Sequence, residues 1–141
     1  MPSFVRNILA VIAGILIGSV VNLGIIKVGP LVIPPPAGVD MADMEKFAEN
    51  LTRLKPANFI APWLAHALGT LTGAYIASKV AVSHRMKLAL GTGAFFLLGG
   101  SVMAAMSGGP LWFSVLDLAG AYIPMGYFGG VLGGAKTTRP Q

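Results

Sequence analysis

The sequence contains no cysteine, which excludes disulfides, thiolate metal sites, iron–sulfur ligation and cysteine nucleophiles. It is also poor in charge: charged residues make up 11% of the 141 residues, against about 25% in soluble domains. Histidine occurs only as His66 and His84, about 27 Å apart along a helix axis, so one chain cannot clamp a haem between them. There is no Gly-x-Ser-x-Gly elbow, no His-Glu-x-x-His and no phosphate-cradling glycine loop followed by Lys-Ser or Lys-Thr. A non-enzymatic chain without a cofactor is therefore expected.

What the chain has in excess is apolar residues, 55%, and glycine, 19 of 141, with no collagen period to absorb the latter. Its length allows one domain. Crossing about 30 Å of hydrocarbon takes roughly 20 apolar residues. Four runs meet that length, about Ile8 to Ile26, Phe59 to Val82, Leu88 to Met106 and Leu111 to Leu132. Backbone facing lipid must bond within its own segment or in a closed barrel, and the alternation of barrel strands is absent. The expectation is an all-α integral membrane domain over residues 1–141, with four transmembrane helices in two antiparallel hairpins. The first run is longer than a signal-peptide core and no Ala-x-Ala site follows it, so it is read as a retained span.

Orientation follows from lysine and arginine in the loops. One side would collect Arg6, Lys79, Arg85, Lys87, Lys136 and Arg139, free of acids. The other holds Lys27, Lys46, Arg53 and Lys55 beside Asp40, Asp43, Glu45 and Glu49. Both termini are expected in the cytoplasm, with the bacterial inner membrane the compositional match. The net charge of +5 is then a topology signal and an attraction to anionic lipid. No basic–aromatic surface accompanies it, so nucleic acid is not an expected partner.

The first external loop is expected to open with Gly29, Pro30 and the stiff Pro34-Pro35-Pro36 run. Asp40 can then cap an amphipathic helix over about Met41 to Leu54, with Met41, Met44, Phe47, Ala48, Leu51 and Leu54 on its apolar face. That helix would lie in the headgroup region or across the mouth of the bundle. Asn50-Leu51-Thr52 matches a glycosylation acceptor. A weak repeat pairs Leu16-Ile17-Gly18-Ser19-Val20-Val21 with Leu98-Gly99-Gly100-Ser101-Val102-Met103, as two equivalent hairpins would require.

In lipid, small residues four apart let helix backbones approach closely. Gly14 with Gly18, Gly69 with Gly73, and Gly126, Gly130 and Gly134 with Gly129 and Gly133 are the expected packing faces. Span four carries two such stripes, more than one neighbour needs, which points to self-association.

Ionisable groups inside a membrane are costly and are functional candidates by default. His66 and Asp117 are two, each about 9–10 Å below the outer end of its span at the helical rise. Asn22, about 6 Å in on span one, continues the Gly14–Gly18 stripe. An outward polar site of Asp117 paired with His66 and completed by Asn22 would bind a proton, a cation or a small polar solute, against the alternative of a structural bond fixing helix register. The Met41–Met44 and Met103–Met106 pairs offer thioethers of the kind copper(I) prefers, although methionine is also a general gap filler. Trp63 and Trp112 suit an interfacial belt. Pro124 should kink span four and free the Gly120 carbonyl near Tyr122. Two functional classes follow: a protein that works by helix packing, as a homo-oligomer or accessory subunit among other membrane subunits, and a small channel or proton- or cation-coupled transporter.

Overall fold

The computed structural model describes residues 1–136; Arg139, one of the charges used above for orientation, lies outside the described residues. Among those residues every regular element is helical: α1 (Ser3–Val32), α2 (Phe47–Arg53), α3 (Ile60–Val80), α4 (Arg85–Ser107), α5 (Leu111–Gly120) and α6 (Ile123–Leu132), with a short 3₁₀ turn over Pro56–Phe59 leading into α3. Three stretches are long and apolar enough to cross a membrane: α1, α4, and the α5–α6 pair taken as one. Leu16, Val20, Leu23, Leu98, Val115 and Leu132 stand exposed on their outer faces, a surface suited to hydrocarbon rather than water.

Helix α3 occupies the centre, packed against α1, α4 and α6. It buries Ala65, Ala67, Gly69, Thr70, Gly73, Ala74, Ala77 and Ser78. Small and hydroxylated residues suit a helix that meets other backbones instead of lipid. Gly14 and Gly18 of α1 lie against Gly73 and Gly69, so close that a β-carbon on Gly14 would stand 2.4 Å from the Gly73 carbonyl oxygen. Higher up, Gly29 meets Ala61. At the other end the α3–α4 turn is tied to α1: the Asn7 amide donates to Ser83 and accepts from the Val82 N–H, and Arg6 donates to the Val80 carbonyl. We call this end of the bundle the tail end, and the opposite one, where residues 33–59 lie, the lid end.

The two glycine stripes near the C-terminus are both filled within the chain. Gly126 and Gly130 abut Gly93 and Ala89 of α4, whereas Gly129 and Gly133 abut Leu71, Ala74 and Ser78 of α3. Two neighbours use two stripes, so the stripes themselves supply no argument for self-association. Gly134 has a different role from packing. It sits at φ +91° just beyond α6, where the Ala135 N–H reaches the Gly130 carbonyl and the Gly134 N–H the Val131 carbonyl, the paired bonds of a Schellman cap.

Three boundaries differ from the sequence expectation. Helix α1 continues to Val32 and stops there because Ile33 precedes Pro34, which disfavours helical backbone at the preceding residue. The external helix shrinks from Met41–Leu54 to Phe47–Arg53. Asp40 and Asp43 turn their carboxylates onto the N–H groups of Ala42, and of Glu45 and Lys46, local bonds that compete with helix. Span four is two helices rather than one kinked helix, broken at Ala121–Tyr122 ahead of Pro124, whose ring leaves the Gly120 carbonyl without its helical donor.

Candidate polar binding site

Asp117, near the end of α5, is buried among apolar helices and accepts three contacts. His66 Nδ1 lies 2.8 and 2.9 Å from its two carboxylate oxygens, and the Tyr122 hydroxyl donates to Oδ2 at 3.0 Å. A carboxylate receiving donors on both sides fixes the ring with its hydrogen on Nδ1. The imidazole also stacks on Tyr122, with ring centroids 5.8 Å apart.

Tyr122 owes its position to the helix break. It precedes Pro124, outside helical geometry at φ −116° and ψ −74°, and this turns the phenol back toward Asp117. Gly100 makes room for it: a β-carbon there would lie 2.3 Å from the phenolic oxygen. The site is thus made by three segments, the first half of α3, the end of α5, and the break before α6.

The sequence-derived pair of His66 and Asp117 is brought together, but the third member is Tyr122 and not Asn22. Asn22 reaches the same cavity from α1; among the described residues neither His66 nor Asp117 bonds to it. Tyr122 had one sequence signal, its place between an intramembrane Asp and a span-breaking proline. Trp112 is half exposed at the lid end, as a belt residue would be, whereas Trp63 packs on Gly120 with its indole N–H buried and without a partner among the described residues. Asn50 is buried and donates to the Asp40 carbonyl, so its amide is not presented as a glycosylation acceptor would be. Of the two Met-x-x-Met pairs, Met41 and Met103 line the cavity described next, and Met44, Met103 and Met106 are exposed.

Above the triad lies a cavity of about 890 Å³, within the range of small-molecule sites. Its walls are the lid-end halves of α1, α3 and α4, and Met41, Phe47, Leu51 and Leu54 roof it. The roof is what remains of the expected amphipathic helix, and it covers the mouth of the bundle. At the floor, Phe96 wedges beside Gly18 and Gly73. Below it the α1–α3 backbones touch, so the cavity is closed toward the tail end. Between α1 and α4, which scarcely meet, the space is open at the side, in a gap bordered by Leu23, Leu98, Val102 and Met103, whose side chains also face outward.

The pair communicates with this space through the histidine. The His66 side chain is 27% exposed and that of Asp117 only 7%. Among the described residues nothing bonds to His66 Nε2, and that nitrogen is not sealed within the protein. It is therefore the ring atom of the triad left without a protein partner among the described residues, an acceptor on the neutral ring and a donor on the imidazolium. Comparison with protein-family models, with curated proteins and with solved structures finds no match for this chain.

Proposed function

We propose that this chain is a small non-enzymatic integral membrane protein whose working part is a guest-binding cavity in its outer half, beneath the lid. It would cross the bilayer four times, as two antiparallel hairpins with both termini cytoplasmic. The fourth crossing is α3: its 21 residues extend about 31 Å, enough for the hydrocarbon layer, and its polar groups face other helices. The lysines and arginines at the tail end, without acids among the described residues there, suit the cytoplasmic side.

The observation that carries the binding reading is the cavity itself, roofed, closed at its floor, open at the side between α1 and α4, and lined by a histidine whose second ring nitrogen lacks a protein partner among the described residues. A bond serving only to fix helix register needs no such space in front of it. The closed floor favours binding or carriage over an open channel. Helix packing remains essential to the architecture, but it is satisfied within the chain, which removes the main reason for making association the function.

Native mass measurement of the protein released from lipid nanodiscs tests the proposal. The wild-type chain should retain a non-covalent guest, and Gly99→Phe should lose it. Gly99 lines the cavity and a β-carbon there meets nothing within 4 Å, so the added ring has space to enter without disturbing a packed contact. Equal retention by the two proteins would place the guest elsewhere and overturn the binding reading.

A further inference from the structure

The chemistry of the cavity narrows what it can hold. Among the described residues, the ionisable side chains lining it are His66, Asp117 and Tyr122, and they are bonded to one another. No lysine or arginine lines it. A phosphate or carboxylate head would enter a low-dielectric space with a buried carboxylate and no dedicated cation. An ammonium head would find that carboxylate already taken by His66 and Tyr122. Charges desolvated without a partner are strongly disfavoured. The guest is therefore uncharged, and its body is apolar because most of the wall is.

The polar end of such a guest meets His66 Nε2. With the hydrogen on Nδ1 committed to Asp117, the neutral ring offers a lone pair, which accepts a hydrogen bond from a hydroxyl. The carboxylate behind the ring holds that tautomer and fixes the direction of the lone pair. Around it the surfaces are aromatic: Tyr122 stacks on the imidazole, and Phe96 packs against the same buried cluster as Tyr122. Flat rings pair favourably with another ring. Resting on the binding reading above, we infer that the cavity takes an uncharged amphiphile with a hydroxylated aromatic head, a phenol or hydroquinone, whose hydroxyl donates to His66 Nε2 while its apolar body lies along the gap between α1 and α4.

The test uses the full chain in phosphatidylcholine nanodiscs, with occupancy measured by native mass spectrometry for four probes: 4-decylphenol, decylbenzene, 4-decylbenzoate and dodecan-1-ol. The phenol is expected to bind about tenfold more tightly than decylbenzene, the difference one good hydrogen bond makes. It should bind about fivefold more tightly than the alkanol, as a ring contact adds, and the benzoate should bind weakest. His66→Asn keeps an amide N–H near the position of Nδ1, where it can still serve Asp117, and lacks the atom facing the cavity. That variant should lose the preference for phenol over decylbenzene while still binding decylbenzene, which also reports that the cavity is folded. Gly99→Phe should bind none of the four. Tightest binding of the benzoate or the alkanol, lost in Gly99→Phe, would overturn the ligand class and leave the cavity reading standing. A phenol preference that survives His66→Asn would overturn the role of Nε2. Binding of every probe unchanged in Gly99→Phe would overturn the cavity reading with it.

Discussion

Asp117 shows how far a single residue in a span can be read from sequence. An unpaired carboxylate there is costly, so a partner had to exist, and depth alone selected His66 from the opposite run. What depth could not supply was the second donor. Tyrosine in a span ordinarily belongs to an interface or an apolar wall, and Tyr122 becomes a ligand of the carboxylate only because the break before Pro124 rotates it inward. Asn22 lines the same cavity from α1 and packs against Gly69, but among the described residues it bonds to neither His66 nor Asp117. The two donors should be separable by mutation. Tyr122→Phe removes one hydrogen bond and keeps the ring stack on His66, at a cost of about 1 kcal/mol. Asp117→Asn leaves one carbonyl oxygen to serve both donors and puts an amide NH2 in the place of the other oxygen, stranding a buried donor at about 1–3 kcal/mol. Unfolding in mixed micelles should therefore rank wild type above Tyr122→Phe above Asp117→Asn. An Asp117→Asn variant as stable as wild type would mean that the carboxylate is not the hub of the triad.

At the scale of the element, glycine spacing was informative where two glycines recur four apart and uninformative elsewhere. The Gly14–Gly18 and Gly69–Gly73 pairs foretell the α1–α3 contact, because two backbones can meet only where neither carries a side chain. The same rule could not tell whether the second stripe on α6 faces another subunit or another helix of this chain, since small-residue stripes look alike in either role. Nor could it see that Gly134 is a cap, which depends on where α6 ends. The external helix was misjudged in length for a different reason. Apolar periodicity extends from Met41 to Leu54, but Asp40 and Asp43 bind nearby N–H groups first and hold residues 40–46 in turns. The repeat between α1 and α4 gains one structural parallel. Gly18 and Gly100, at matching positions, both make close approaches, to the Gly69 carbonyl and to the Tyr122 hydroxyl. Glycine by glycine, contact can be told from composition. On Gly18 a β-carbon would lie 2.5 Å from the Gly69 carbonyl oxygen, whereas on Gly24 it meets nothing within 4 Å. Gly18→Ala should cost about 1–3 kcal/mol through overpacking. Gly24→Ala, in the same helix, should be neutral or stabilise by up to about 1 kcal/mol through helix propensity. Thermal unfolding of the two alanine variants in one detergent checks the contrast, and equal effects would rule out the backbone contact.

The whole molecule turns on α3. It is the long helix most enclosed by others and the one that hydropathy does not mark as a crossing, since its buried face carries small and polar residues. Its position also shapes the cavity: α1 and α4 flank it, close together at Phe96, with the space opening toward the lid end. If α3 crosses the bilayer, the lid and the α3–α4 turn lie on opposite sides; if it does not, they share one. The absence of cysteine from the sequence makes this directly measurable, because a single introduced thiol has no competitor. Glu49 in the lid and Lys87 at the start of α4 are both exposed and take part in none of the contacts that build the site. In intact cells, Glu49→Cys should react with a membrane-impermeant maleimide, and Lys87→Cys should react only after permeabilisation. The reverse pattern would invert the orientation and place the cavity mouth toward the cytoplasm. Labelling of both thiols from the same side would remove α3 as a crossing. It would also remove the geometry that sets His66 at the depth of Asp117 within the hydrocarbon, so the topology and the binding site stand or fall on one experiment.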